Sequence, residues 1–262
     1  MFFMKKWYFL CVLLLGVLQT QANNNAVPRE FYLIKIFHCS SQKQLDHIDQ
    51  YLQSAYLPFL HKSGFKKIGV FSPLDNDTSA DKRIYVWIPL KTLNQLEQLD
   101  QPIENLDPFG NDPLLRLDNK DSSLPYNRIE VLLTKAFKLQ PQFNGSSNLI
   151  KTNTRIYEYR SYESPTEEMH LRKIHMFNEG QEITLFKKLN FNAIFYSKVI
   201  AGGRTPNLVY MTSFNNMAER DAHWKAFFDD AIWKKIAPDK KYQKIVNKGE
   251  TVLMTAKNYA DF

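Results

Sequence analysis

The sequence predicts an α+β protein of two tandem ferredoxin-like repeats, each in the order βαββαβ, packed sheet-to-sheet as an intramolecular α+β barrel. One observation is a repeat: Glu30–Phe37 aligns with Arg155–Tyr162, and Arg83–Pro89 with Leu208–Phe214, both about 125 positions apart. The other is physical. A ferredoxin-like sheet has helices on one face only, so its bare face needs a partner, and the second repeat is the obvious one.

The first repeat, residues 29–137, begins with a strand at Phe31–Phe37. A helix from about Gln42 to Lys62 follows, because apolar residues recur there every three or four positions, and Gly64 ends it. The remaining elements are strands at Lys67–Ser72 and Ile84–Pro89 around a turn at Asp75–Thr78, a helix from near Thr92 to Pro102, a loop to Pro125 and a last strand at Arg128–Leu133.

The second repeat, residues 154–258, follows a linker at 138–153 that is rich in Gln, Asn, Gly and Ser. It has the same order of elements as the first. They are a helix at Thr166–Leu189, strands at Phe191–Ile200 and Leu208–Phe214, a helix at about Met217–Phe228, a short helix near Ile232 and a final strand around Thr251–Thr255.

Residues 1–22 have the pattern of a secretory signal peptide. Lys5 and Lys6 form a basic start, Trp7–Leu18 an apolar run, and Thr20–Ala22 a small-residue cleavage site. That run is 12 residues long, whereas a membrane span needs roughly 20. We therefore expect cleavage near Ala22, no integral membrane span afterwards, and a secreted or periplasmic protein.

Cleavage would also remove Cys11 and leave Cys39 as the one cysteine, so no internal disulfide is expected. A nucleophilic role for Cys39 is open. A single thiol at the end of a strand is more often an inert, small apolar group.

The excess positive charge lies in the second half of the chain. Residues 23–150 carry 14 basic and 14 acidic side chains, whereas residues 151–262 carry 18 and 13. Most of the excess is a run of lysines at positions 234, 235, 240, 241, 244 and 248. Such a run could meet an anionic membrane or a nucleic acid. No stacking platform of aromatic residues accompanies it, so a solvated helical face is favoured and no nucleic-acid partner is expected.

The chain resembles the NIPSNAP family, most strongly in its second repeat. The segments that carry the resemblance are Ile156–Ser164, Met176–Gly180, Pro206–Phe214 and the pair Trp224 and Trp233. The first repeat is a weaker match, since Leu33 and Lys35 stand where the second has Glu158 and Arg160. The resemblance implies a dimeric α+β-barrel fold, shared with small monooxygenases, haem-degrading enzymes and binding proteins, and an exported branch of unassigned function. It implies no particular reaction.

Charged residues on a predicted strand are the first candidate site. Alternation places Glu158 and Arg160 on one side of the strand and two tyrosines on the other. If the helices cover the tyrosine side, Glu158, Arg160 and the corresponding Lys35 point between the sheets, where charge is unfavourable unless paired or used. Two interpretations stay open: an ion pair that fixes the sheet packing, or a site where Arg160 and Lys35 anchor an anionic ligand and Glu158 acts as base or acceptor.

The predicted helix at Thr166–Leu189 carries the second candidate. His175, Glu179 and Glu182 share one flank and could converge for proton transfer or for a divalent ion. No second histidine has ligand spacing, so a solvated, salt-bridged flank is the alternative, and we assign neither a metal nor a cofactor. An apolar stripe of Met169, Met176 and Ile183 is expected to contact the other domain or another chain.

Arg204 is the third candidate. Gly202 and Gly203 fit a tight connection between two strands, and Arg204 would project from the rim of the sheet. It could grip an anion at the mouth of the barrel, although the hairpin alone explains the glycines.

Three hypotheses for function follow from the sequence. The first is a binding module that takes a small organic or anionic ligand between the sheets. The second is a cofactor-free oxygenase or isomerase that uses Glu158, Arg160 and His175. The third is a structural or partner-binding protein, which the Met176 stripe and the lysine-rich end permit. In the first hypothesis the outer helices could also mediate assembly into a homo-oligomer.

Overall fold

The computed structural model describes residues 27–114, 124–143 and 154–262. The signal peptide predicted at residues 1–22 and residues 144–153 of the predicted linker lie outside these segments, so both stay predictions. None of the helices in the described segments has the length and apolar character needed to cross a membrane.

The described strands close into an antiparallel barrel in the order β1-β3-β2-β8-β5-β7-β6-β4. They are β1 (Phe31–Cys39), β2 (Gly69–Pro73), β3 (Lys82–Leu90), β4 (Arg128–Ala136), β5 (Ile156–Glu163), β6 (Asn192–Ala201), β7 (Asn207–Phe214) and β8 (Lys248–Ala256). Each repeat contributes one ferredoxin-like sheet, β4-β1-β3-β2 or β8-β5-β7-β6. The sheets join through β2–β8 and β4–β6 pairing, which leaves no exposed edge. The predicted fold class is confirmed.

Helices cover the outside of the barrel. They are α1 (Gln42–Tyr51), a π-helical turn (Leu52–Tyr56), α2 (Leu57–Lys62), α3 (Asn94–Glu104), α4 (Glu167–Phe177), α5 (Glu182–Lys188), α6 (Met217–Asp229), α7 (Ala231–Ile236) and a 3₁₀ turn (Lys240–Tyr242). The predicted end at Pro102 is wrong, because α3 continues through that proline to Glu104. A proline removes one hydrogen bond, which does not stop the last turn from forming.

The helix predicted at Thr166–Leu189 is two helices in the structure. Thr166 caps α4 as its side chain accepts a hydrogen bond from the Met169 N–H. The chain then breaks after Phe177, and Gln181 adopts a left-handed φ of 73° before α5 begins. At Gly180 a Cβ would come within 2.5 Å of the Tyr242 hydroxyl oxygen. The break therefore places at position 180 a residue without a Cβ, where any other residue would clash.

The two sides of the sheets are opposite to the sequence expectation. The barrel interior takes the side of β5 that carries Tyr157 and Tyr159, and the side of β1 that carries Tyr32 and Ile34. Glu158, by contrast, contacts Arg220 and Trp224 of α6, outside the barrel. Both sides of these strands are rich in large side chains, so alternation could not decide which side the helices cover.

Candidate functional site

The interior of the barrel is strongly aromatic. Side chains from all eight described strands form one buried cluster there, including Tyr32, Phe71, Tyr85, Trp87, Tyr157, Tyr159 and Phe195. Trp87 stacks on Phe195 with ring centroids 5.7 Å apart and an interplanar angle of 19°. Such walls favour contact with a flat apolar surface.

Three hydrogen-bonding groups in this interior have no partner among the residues that the structure describes: Tyr85 Oη, Tyr159 Oη and Trp87 Nε1. Each of these residues is 1% exposed, and the rings of Tyr85 and Tyr159 lie 5.3 Å apart. Burial raises the pKa of both tyrosines well above the ordinary value, so both hydroxyls stay protonated and can donate. A buried polar group without a partner costs about 1–3 kcal/mol. A group of three marks a place where an acceptor would be stabilised.

An ion-pair chain of four residues crosses one end of the barrel, which we call the mouth. Arg83 Nη1 lies 2.7 Å from Glu250 Oε1, and Glu250 Oε2 lies 2.8 Å from Arg204 Nη1. Arg204 Nη2 in turn lies 3.0 Å from Glu130 Oε1. The chain thus joins β3 and β4 of the first repeat to β8 and the β6–β7 connection of the second.

The ion-pair chain balances its own charge. Glu130 shows only 9% of its side chain to solvent, and Arg204 shows 26%. Burial tends to raise the pKa of Glu250, but hydrogen bonds from Arg83 and Arg204 outweigh it and lower that pKa. His38 Nδ1 lies 2.9 Å from Asp81 Oδ1, beside Glu130. The mouth therefore presents paired rather than free charges.

The structure places Arg204 at the mouth of the barrel, where the sequence predicted it. Its guanidinium is already held by Glu130 and Glu250, with Glu163 at 3.9 Å. Gly202, with φ of 132°, would clash with the Val131 carbonyl oxygen if it carried a Cβ, so the tight connection explains that glycine.

Glu158 and Arg160 do form an ion pair, but beneath α6. Glu158 is fully buried, and its carboxylate lies 2.7 Å from Arg160 Nε and accepts hydrogen bonds of 2.7 Å from Arg220 Nε and 2.8 Å from Trp224 Nε1. The Arg160 guanidinium also lies 4.2 Å from the Trp224 ring centroid. This network fixes α6 against the barrel.

Lys35 lies on the helix side of β1, away from Glu158 and Arg160. Its Nζ is 3.3 Å from Tyr56 Oη, in the π-helical turn, and 4.7 Å from the Tyr56 ring centroid. Burial lowers the pKa of Lys35, and the Asp100 carboxylate opposes this.

His175, Glu179 and Glu182 do not converge. His175 Nδ1 lies 2.8 Å from Tyr242 Oη, and Glu179 lies 3.9 Å from Lys138 on the surface. Glu182 forms a buried ion pair of 3.1 Å with Lys173. Convergence, one of the two interpretations, required one continuous helix, and the break between α4 and α5 redirects these side chains.

Met169 and Met176 of the apolar stripe are covered by the same repeat, not by another domain or chain as expected, whereas Ile183 belongs to a cluster that includes Phe137 at the end of the first repeat. Met176 is buried against Ile236, Tyr242 and Ile245. The segment after α7 folds back over α4 and covers Met176. Local periodicity in the sequence does not indicate such a contact.

Cys39 is fully buried at the end of β1. Burial, and then the nearby Asp81 carboxylate, raise the pKa of its thiol to about 11. At neutral pH it is therefore a thiol rather than a reactive thiolate. Among the described residues, no group of three or more His, Cys, Asp or Glu side chains is arranged to hold a metal ion.

Sequence reasoning missed the residues that define the barrel interior and its mouth. In the sequence, Tyr85, Trp87 and Tyr159 were assigned to strands but to no site. Glu130 and Glu250 were assigned no role. The alternation of Arg83, Tyr85 and Trp87 along β3 was a usable signal, because it places a charge and two polar aromatic groups on one face. This alternation does not show which face of β3 lies inside the barrel.

Residues 157–261 match the family model described as NIPSNAP. Among curated proteins, none matches this sequence. Among solved structures, a candidate monooxygenase from Lactobacillus acidophilus NCFM is 8% identical, with a TM-score of 0.53 over 87% of this chain and 94% of that one. A candidate monooxygenase from Fusobacterium nucleatum subsp. nucleatum is 6% identical, with a TM-score of 0.56 over 88% and 93%. An anthrone oxidase-like protein is 10% identical, with a TM-score of 0.53 over 88% and 93%.

At these identities the structural likeness establishes the fold and not the chemistry. It extends over both repeats, whereas the family model covers the second repeat. The second half of the chain is therefore similar to the NIPSNAP family model, within a tandem α+β barrel of the kind seen in these structures.

Proposed function

We propose that the barrel binds a small, neutral, planar aromatic ligand whose carbonyl oxygen accepts hydrogen bonds from Tyr85 and Tyr159. The observation that carries the proposal is the set of three interior donors that find no partner in the described segments of the chain. A carbonyl oxygen offers two lone pairs, which suits two neighbouring phenols.

The surroundings of these donors support the rest of the ligand's description. Tyr32, Phe71, Phe195 and Tyr157 supply aromatic walls, which favour a planar ring over a flexible chain. The two arginines at the mouth are already paired with Glu250 and Glu130. An anionic ligand would have to displace these carboxylates, so a neutral ligand is favoured.

The test is titration with 2-acetylnaphthalene, followed by tryptophan fluorescence and calorimetry, with naphthalene as the ligand that lacks the acceptor. Wild-type protein should bind the ketone more tightly than the hydrocarbon. Y85F and Y159F should each weaken ketone binding about 2- to 10-fold, equivalent to the ~0.5–1.5 kcal/mol of one hydrogen bond. Neither should weaken naphthalene binding.

Y85F and Y159F should weaken ketone binding, but they should not destabilise the ligand-free protein. Removing a hydroxyl that has no partner should leave the free energy of unfolding unchanged or raise it by about 1 kcal/mol. Y196F is the matched control, since Tyr196 Oη is equally buried and without a partner but lies on the helix side. Y196F should leave ketone affinity unchanged. Equal affinities for ketone and hydrocarbon, or no effect of Y85F and Y159F, would refute the proposal.

The oxygenase hypothesis receives no support from the residues first assigned to it. Glu158 is held by Arg160, Arg220 and Trp224, whereas His175 contacts Tyr242 in another part of the second repeat. Oxygen uptake and conversion of the ketone, followed in the same titration, would show turnover if it occurs. Export and assembly through the outer helices stay predictions, which N-terminal sequencing of the mature protein and light scattering would test.

A further inference from the structure

The end of the barrel opposite the mouth is closed by two phenylalanines, Phe143 and Phe262. Both belong to the interior cluster, with 8% and 5% exposure. Their ring centroids lie 5.2 Å apart. Neither residue is on a strand, so the barrel's hydrogen bonds do not depend on either side chain.

The two residues occupy equivalent places in the repeats. Each follows the last strand of its repeat by six or seven positions, after Ala136 of β4 or Ala256 of β8. The first tail begins with a hydrogen bond from the Phe137 N–H to the Tyr196 carbonyl of β6, and the second with one from the Lys257 N–H to the Val70 carbonyl of β2. The duplicated unit thus supplies one ring from each copy to the same end of the barrel.

Trp87 connects this end to the proposed ligand site. Its ring packs edge-on against Phe143 at 5.0 Å and against Phe262 at 5.8 Å. The indole Nε1 is one of the interior donors without a partner. Tyr85 lies two residues away on the same face of β3, which corresponds to about 7 Å along the strand.

We propose that Phe143 and Phe262 form the floor of the ligand site and set the length of the ligand that fits between the floor and the two tyrosines. The inference rests on the proposed function. Phe262 is the more informative position, because it also contacts Phe71 and Tyr157. A smaller side chain there should lengthen the site by roughly one ring.

The experiment measures the affinities of acetophenone, 2-acetylnaphthalene and 2-acetylanthracene, which carry one, two and three rings, for wild-type protein and floor variants. We expect 2-acetylnaphthalene to bind wild-type protein best. In F262A and F143A the affinity for 2-acetylanthracene should rise at least tenfold over wild type. In F262W the preference should move toward acetophenone.

F228A is the matched control, because Phe228 is 51% exposed on α6. It should leave the order of affinities unchanged. If F262A does not fold, as circular dichroism and thermal melting would show, the test is made with F262L, which is a smaller change in size, and with F143A. An unchanged preference in all folded floor variants, while wild-type protein still binds ketones, would overturn the floor and leave the proposed function standing.

Failure of the proposed function is a different result. If wild-type protein binds no ketone, the proposed function and the floor are both overturned, whereas ketone binding with an unchanged order of affinities in the floor variants overturns the floor alone.

Discussion

At the residue scale, the carboxylate of Glu158 is fully buried and needs partners that compensate for its lost hydration. It is tolerated because Arg160, Arg220 and the Trp224 indole surround it. A buried charge is stable only when its partners are in place, so the sequence could show that Glu158 needed partners. Two of these three lie on α6 and were not identifiable from the strand.

We expect E158A to lower the free energy of unfolding by about 3–5 kcal/mol, because it leaves Arg160 and part of Arg220 without their counter-charge. Urea denaturation of wild type and variant measures this difference. E168A is the control, since Glu168 pairs with Arg172 on the surface, and removing an exposed pair should change stability by less than about 1 kcal/mol. Equal losses in both variants would contradict a special role for the buried network.

At the element scale, the break between α4 and α5 decides what the second candidate site becomes. Periodicity over residues 166–189 was helical throughout, and it predicted one flank that carried His175 and Glu182. The break at Gly180 instead turns Glu182 toward Lys173. At Gly180 a Cβ would meet the Tyr242 hydroxyl and the backbone of Met176, and the position of Tyr242 depends on the fold of residues some 60 positions away.

We expect G180A to destabilise the protein by about 1–3 kcal/mol, because its Cβ would lie 2.5 Å from Tyr242 Oη and 2.6 Å from the Met176 carbonyl oxygen. Thermal melting monitored by circular dichroism measures the change. G203A is the matched control: a Cβ at Gly203 meets nothing within 4 Å, so its effect should stay within about 0.5 kcal/mol. A G180A protein as stable as wild type would show that the close approach does not constrain this position.

At the scale of the whole molecule, the two repeats are joined by two strand seams and by the ion-pair chain at the mouth. Arg83 and Glu130 come from the first repeat, Arg204 and Glu250 from the second. The ion-pair chain therefore makes the stability of the closed barrel depend on the ionisation of Glu130 and Glu250.

The lowered pKa of Glu250 predicts a pH dependence. A carboxyl group with a lowered folded-state pKa contributes stability above its unfolded-state value, near 4.3, and loses that contribution as the pH falls through the lower folded-state value. The free energy of unfolding of wild-type protein should therefore decrease from about pH 5 downward. In E250Q this decrease should be smaller, by no more than about 1 kcal/mol, because solvent screens this part-exposed ion pair. Urea denaturation at pH 6, 5, 4 and 3 measures the free energy of unfolding of both proteins. If it depends on pH in the same way in wild type and E250Q, Glu250 is not the group responsible.

The sequence by itself determined the duplication, the element order and the need of each bare sheet for a partner, because side-chain periodicity and turn residues act over short stretches of chain. Only the tertiary structure decided which face of each strand lies inside the barrel. Both faces of β1 and β5 are suited to burial, and the choice depends on where helices from distant segments pack. That choice placed Tyr85, Tyr159 and Trp87 inside and Glu158 outside, and with them the candidate site.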